Sequence, residues 1–175
     1  MNKRLYWLTI LGMSSILASP ALAVVAQSSK AAFTMKVTCK TDTATPTVVA
    51  SFSEQKNAKD LTILSFLPEY FSSQAAVQNC EKTAQTLQAL YQTGRAKYLT
   101  NDKSNSQPVV CAVERRGIGC NHYSAQVLFS LDEKVNSSQA LYQMLGSDFK
   151  QSQPPDSRTV GKMYSDIKPS WWPWK

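Results

Sequence analysis

The stretch Ser72-Ser-Gln-Ala-Ala-Val-Gln-Asn-Cys80-Glu-Lys-Thr-Ala-Gln-Thr-Leu-Gln-Ala-Leu-Tyr-Gln-Thr-Gly94 decides the fold class. Val77, Cys80, Ala84, Leu87 and Leu90 or Tyr91 recur at spacings of three and four with Gln, Lys and Glu between them, which predicts one long helix with a single apolar face. Ser72 or Ser73 can cap its start and Gly94 can end it. The chain before this helix has a different period. From Phe33 to Cys39 apolar and polar residues alternate, placing Phe33, Met35, Val37 and Cys39 on one face of a half-buried strand. Thr47 to Phe52 and Leu61 to Phe66 read as two further strands, forming a meander with the first.

Beyond Gly94, Tyr98-Leu99 leads into a polar turn expected from Asn101 to Gln107. Pro108 to Val113 and Ile118 to Leu131 read as two more strands, the second long and broken near Ser124. A shorter helix starts at Ser137 or Ser138, buries Leu141, Met144 and Leu145, and stops at Gly146. The expected architecture is α+β: one antiparallel sheet of about five strands packed on one long and one shorter helix, with two disulfides.

Four cysteines allow three pairings. A hairpin turning at Arg115-Arg116 sets Val113 opposite Ile118 and Cys111 opposite Cys120, and opposed residues at a non-hydrogen-bonded position are close enough for a disulfide. That leaves Cys39, at the end of the first strand, for Cys80 on the helix. No Cys-x-x-Cys spacing exists to set up a reactive thiolate.

Residues 1–23 have the layout of a secretory signal peptide: Lys3 and Arg4, an apolar run from Leu5 to Leu17, and Ala21-Leu22-Ala23 after Pro20. The run is too short to span a bilayer, and no cysteine follows it to carry a lipid anchor. The expected organisation is a signal peptide over 1–23, a short linker over 24–32, a single globular domain over 33–150 and a Pro/Trp-rich tail over 151–175. Export implies an extracytoplasmic location, in a periplasm, a thylakoid lumen or the medium, where the cysteines oxidise. The whole chain carries 19 Lys and Arg against 12 Asp and Glu. The basic residues are dispersed, without a run of four, which argues against a nucleic-acid partner and reads as a solvated basic surface, with weak attraction to an anionic membrane surface or acidic polymers as the alternative.

The chemistry-bearing residues are sparse. His122 is the single histidine, and Cys120-Asn121-His122 matches no usual zinc spacing, so no metal or cofactor is expected. No Gly-x-Ser-x-Gly elbow accompanies it for a Ser-His-Asp hydrolase, and the 6 glycines are too scattered to cradle a phosphate. The alternative to a non-catalytic protein is a soluble secreted enzyme whose carboxylates Glu69, Glu81, Glu114, Asp132, Glu133 and Asp148 come together on folding. The candidate contact element is the end of the chain, where Trp171, Trp172 and Trp174 stand with Lys175 and Lys168 beside Pro169 and Pro173. Indole rings favour the headgroup level of a bilayer, so this strip fits a membrane or an unidentified protein partner. The same rings can also fold back over their own domain as a strap.

Several ordered pieces carry a family resemblance: the opening ending in Cys39, Pro46-Thr47-Val48-Val49-Ala50, Cys80 on its helix, Gly94 before Tyr98-Leu99-Thr100, Val109-Val110-Cys111, Cys120, and Leu128-Phe129-Ser130-Leu131. Over roughly residues 33–146 the chain resembles the circadian oscillating polypeptide family of cyanobacteria, with the tail largely outside the match. Ser53 to Lys59 and Leu64-Ser65-Phe66 depart from it where a glycine-rich, Trp-containing segment is frequent. The resemblance implies an exported, membrane-associated protein of cycling abundance whose biochemical role is not established, and it transfers no catalytic residue. It matches the cysteines at 39, 80, 111 and 120 to recurring positions.

Overall fold

A computed structural model describes residues 35–52, 60–95, 97–151, 154–155 and 161–167. The expected signal peptide and linker, together with Phe33, Trp171, Trp172, Trp174 and Lys175, lie outside these residues. Among the described residues no helix is long and apolar enough to cross a membrane.

The first half folds as its periodicity dictates. Strands β1 (Met35–Lys40), β2 (Thr47–Phe52) and β3 (Leu61–Ser65) form an antiparallel meander in the order β1-β2-β3. Helix α1 (Ser73–Thr93) follows. The Ser72 hydroxyl accepts the Ala75 N–H at its start, and Gly94 ends it with φ 67°, a left-handed conformation that side chains resist. Its buried face is Ala76, Cys80, Thr83, Ala84, Leu87 and Leu90.

The second half forms a separate antiparallel sheet from β4 (Tyr98–Ser104), β5 (Gln107–Val113), β6 (Gln126–Ser130) and β7 (Tyr164–Asp166), in the order β6-β5-β4-β7. Two sheets of three and four strands thus replace the single sheet of about five expected from sequence. The expected polar turn from Asn101 to Gln107 is in fact most of β4, and the turn itself is only Asn105-Ser106. Both have positive φ, 50° and 67°, as a two-residue hairpin turn requires. The expected strand from Ile118 shrinks to Gln126–Ser130, and the chain between Val113 and Gln126 is a loop. The expected tail also contributes structure, since β7 pairs with β4 as Tyr98↔Asp166, Leu99↔Ser165 and Thr100↔Tyr164. Helix α2 (Ser137–Met144) begins at the expected position, with Asn136 supplying the cap through Oδ1 to the Ser138 and Gln139 N–H groups.

One continuous core joins these parts. It combines Val48, Ile63 and Leu64 of the three-stranded sheet, Leu87 of α1, Leu99, Val110 and Leu128 of the four-stranded sheet, and Leu141 and Met144 of α2. Phe66, Phe71 and Phe129 meet at its centre with ring centroids 5.2 to 5.7 Å apart, in tilted and edge-to-face contacts. The other face of the four-stranded sheet carries a smaller core of Val109, Cys111, Val113 and Cys120, bordered by Tyr98, Ile118, Ala125 and Tyr164.

Candidate functional site

Both expected disulfides are present, Cys39–Cys80 and Cys111–Cys120, each with α-carbons 5.6 Å apart. The hairpin geometry expected for the second is not. Cys111 lies opposite Val127 on β6 and Thr100 on β4. Cys120 reaches it from the loop after β5, which folds across the outer face of the four-stranded sheet, so the bond ties a cover to a sheet.

A carboxylate on β4 fixes where that cover lies. Asp102 Oδ2 accepts the Cys120 N–H at 3.0 Å and the Lys162 ammonium at 2.9 Å, and Oδ1 accepts the Lys103 N–H at 2.9 Å. Burial pushes the Asp102 carboxyl up, but the Lys162 bond and the two backbone N–H groups outweigh it and hold the group below the usual carboxylate range. A Cβ on Gly119 would stand 2.0 Å from Asp102 Oδ2, so only glycine lets the loop approach this closely. Nothing in the sequence period singled out Asp102, because a polar residue beside a turn looks like part of the turn.

The neighbouring Asn101 points the opposite way, into the main core, where it is 2% exposed. Its Nδ2 donates to Ser137 Oγ and the Gly161 carbonyl at 3.1 and 3.2 Å, and its Oδ1 accepts the Met163 N–H at 2.8 Å. One side-chain amide therefore fastens α2 and the approach to β7 to the same strand.

His122 stands in the loop with its ring against Tyr123, centroids 4.3 Å apart. Its Nδ1 lies 2.9 Å from Ser124 Oγ and 3.3 Å from the Ser124 backbone nitrogen. Ser124 Oγ also donates to Glu114 Oε1 at 3.4 Å. In a nucleophilic triad the acid orients the histidine from behind; here the serine stands between the two and is itself buried. The arrangement closes the loop on itself.

Glu69, Glu81, Asp132, Glu133 and Asp148 are all exposed, and among the described residues no three His, Cys, Asp or Glu side chains converge as metal ligands do. An open groove of about 690 Å³ runs between β1 and α1, lined by Val37 to Cys39 and by Glu81, Gln85, Gln88 and Gln92. Gln88 closes part of the strand's edge, accepting the Val37 N–H at 2.6 Å and donating to the Met35 carbonyl at 3.4 Å.

Folding also gathers basic residues that are dispersed in sequence. The Lys97 N–H donates to the Val113 carbonyl at 2.9 Å, so the turn carrying Arg95 and Lys97 lies beside the start of the loop carrying Arg115 and Arg116. The Arg116 guanidinium sits 5.2 Å from the centroid of the Tyr98 ring. All four basic side chains are exposed.

A family model described as circadian oscillating protein COP23 matches residues 36–171, and the chain belongs to that family. The match runs past Gly146 to include β7, beyond the span over which the resemblance is legible by eye. No curated protein and no solved structure matches. The family's description names an oscillation and no reaction.

Proposed function

We propose that this family member is an exported, non-catalytic protein that works through surface contact and sits peripherally on a membrane. The observation that carries the reading is the pairing of all four cysteines, which leaves no free thiol. Structural disulfides persist in oxidising spaces outside the cytoplasm, and the secretory layout of residues 1–23 gives the chain a route there. The closed hydrogen bonding of His122, Ser124 and Glu114 supports a role other than nucleophilic chemistry. The contact element is the end of the chain, with Trp171, Trp172, Trp174 and Lys175.

Two measurements test the reading. The native protein treated with iodoacetamide before any reductant is expected to stay unmodified at its cysteines, and complete alkylation overturns export into an oxidising space. The mature chain is expected to sediment with vesicles containing phosphatidylglycerol and to lose most of that binding when residues 169–175 are deleted. Equal binding by both forms removes the tail from the contact.

A further inference from the structure

We infer that the end of the four-stranded sheet where α1 turns into β4, marked by Arg95, Lys97, Arg115 and Arg116, is the face that meets an anionic lipid bilayer. This rests on the membrane reading above and names the surface and the lipid chemistry for it. Three segments converge there. The Lys97 N–H binds the Val113 carbonyl, the Ile167 N–H binds the Lys97 carbonyl at 3.0 Å, and Tyr98 pairs with Val113 on one side and Asp166 on the other. The α1–β4 turn, the start of the β5–β6 loop and the exit of the chain from β7 therefore occupy one pole. Four exposed cations stand on it. Of the two acidic residues in these segments, Glu114 accepts from Ser124, and Asp166 stands beside Tyr98.

The described chain leaves the fold at the same pole, since Ile167 follows the Tyr98↔Asp166 pair and binds Lys97. Basic groups within about a Debye length, roughly 8 Å, of a charged surface feel its potential, and indole rings settle at headgroup depth. The four cations of this pole are close enough together to engage one patch of lipid. Both ends of the described fold are attached to one turn of α1, since Gln88 binds the Met35 carbonyl and Tyr91 Oη donates to the Ile167 carbonyl at 3.1 Å.

The test compares vesicle binding by the mature chain and by two variants of equal charge loss. R95Q/K97Q/R115Q removes cations from the pole; K82Q/K103Q/K134Q removes exposed cations elsewhere. With phosphatidylglycerol-containing vesicles the pole variant is expected to bind roughly 10- to 100-fold more weakly, given the attraction each Lys or Arg feels near an anionic surface. The control variant is expected to stay within about threefold of wild type. Pure phosphatidylcholine vesicles should show little difference among the three proteins. If the pole variant binds as wild type does while deletion of 169–175 abolishes binding, the pole assignment fails and the membrane reading stands. If both triple variants weaken equally, net charge alone is at work and the assignment also fails. If wild type binds no vesicle, both readings fail. An unchanged thermal midpoint checks that the pole variant is folded; single R115Q, in an exposed loop, replaces it if not, with an expected loss of about fivefold.

Discussion

Met163 gives its backbone N–H to Oδ1 of Asn101, 2.8 Å away and inside the core, and through this bond the last strand of the fold is held to β4. β7 is only three residues long, and its ladder with β4 alone would anchor it weakly. The amide of Asn101 supplies what the short ladder lacks, with two further bonds to Gly161 and Ser137.

Asn101→Ala should therefore cost roughly 2–4 kcal/mol, because it takes their partner from the Met163 N–H and the Ser137 hydroxyl, both in the buried interior. Urea denaturation measures the loss. Limited trypsinolysis should at the same time open a cut after Lys162 that the parent chain resists. A loss below about 0.5 kcal/mol, the level of an ordinary surface change, contradicts the fastening role.

The carboxyl of Asp102 is depressed in the folded chain relative to an unfolded value near 3.9. Its stabilisation is complete above that unfolded value and is lost as the pH falls through the lower folded one. Asp102→Asn should be less stable than the parent at neutral pH, with the gap closing below about pH 4. Denaturation midpoints across an acid series test this. A gap that persists undiminished in strong acid shows that the ion pair with Lys162 is not its source.

Removing the two disulfides separately should have unequal effects. On the chain-entropy relation, the Cys39–Cys80 closure, spanning a separation of 41, contributes about 4 kcal/mol, and Cys111–Cys120, spanning 9, about 3 kcal/mol. Paired serine variants compared by chemical denaturation give the order. Peptide mapping without reductant should recover both linked pairs, and a Cys39 peptide joined to Cys111 or Cys120 rejects the connectivity.

Thr83 is fully buried on α1, and its hydroxyl is without a hydrogen-bond partner among the described residues. Thr83→Val keeps the shape and removes an unpaired polar group, so the protein should hold its stability or gain up to about 1 kcal/mol. A thermal melt decides; a loss above about 1 kcal/mol means the hydroxyl has an unrecognised role.

Local signals in the sequence went as far as local causes do. Ser72 and Gly94 bracket α1 because capping is decided within a few residues, and the meander before it follows from the alternation of β1 and the strand-forming residues of β2 and β3. The polar half of β4 escaped because Asn101 and Asp102 acquire their partners from residues far along the chain, at 137, 161 and 163 in one case and 120 and 162 in the other. β7 escaped for the same reason, since Ser165 and Tyr164 become strand residues only against β4. The Cys111–Cys120 pair came out right from a hairpin that does not exist. A loop doubling back over the sheet brings the sulfurs together as well as a turn would, and spacing does not separate the two. The basic pole was hidden by dispersion: the turn carrying Arg95 and the loop carrying Arg116 come to one end of the sheet where Lys97 binds Val113.

The attachment of Met35 and Ile167 to neighbouring positions of α1 bears on how the molecule answers a mechanical load. A pull on its two ends starts from side-by-side points, so β1 and β7 peel off pair by pair instead of shearing as whole ladders. Peeling of β1 halts at Cys39, where the disulfide passes the tension directly to Cys80 and bypasses everything between them. Pulled at those two ends, the fold would yield at its outer strands while most of its central packing stays unstretched.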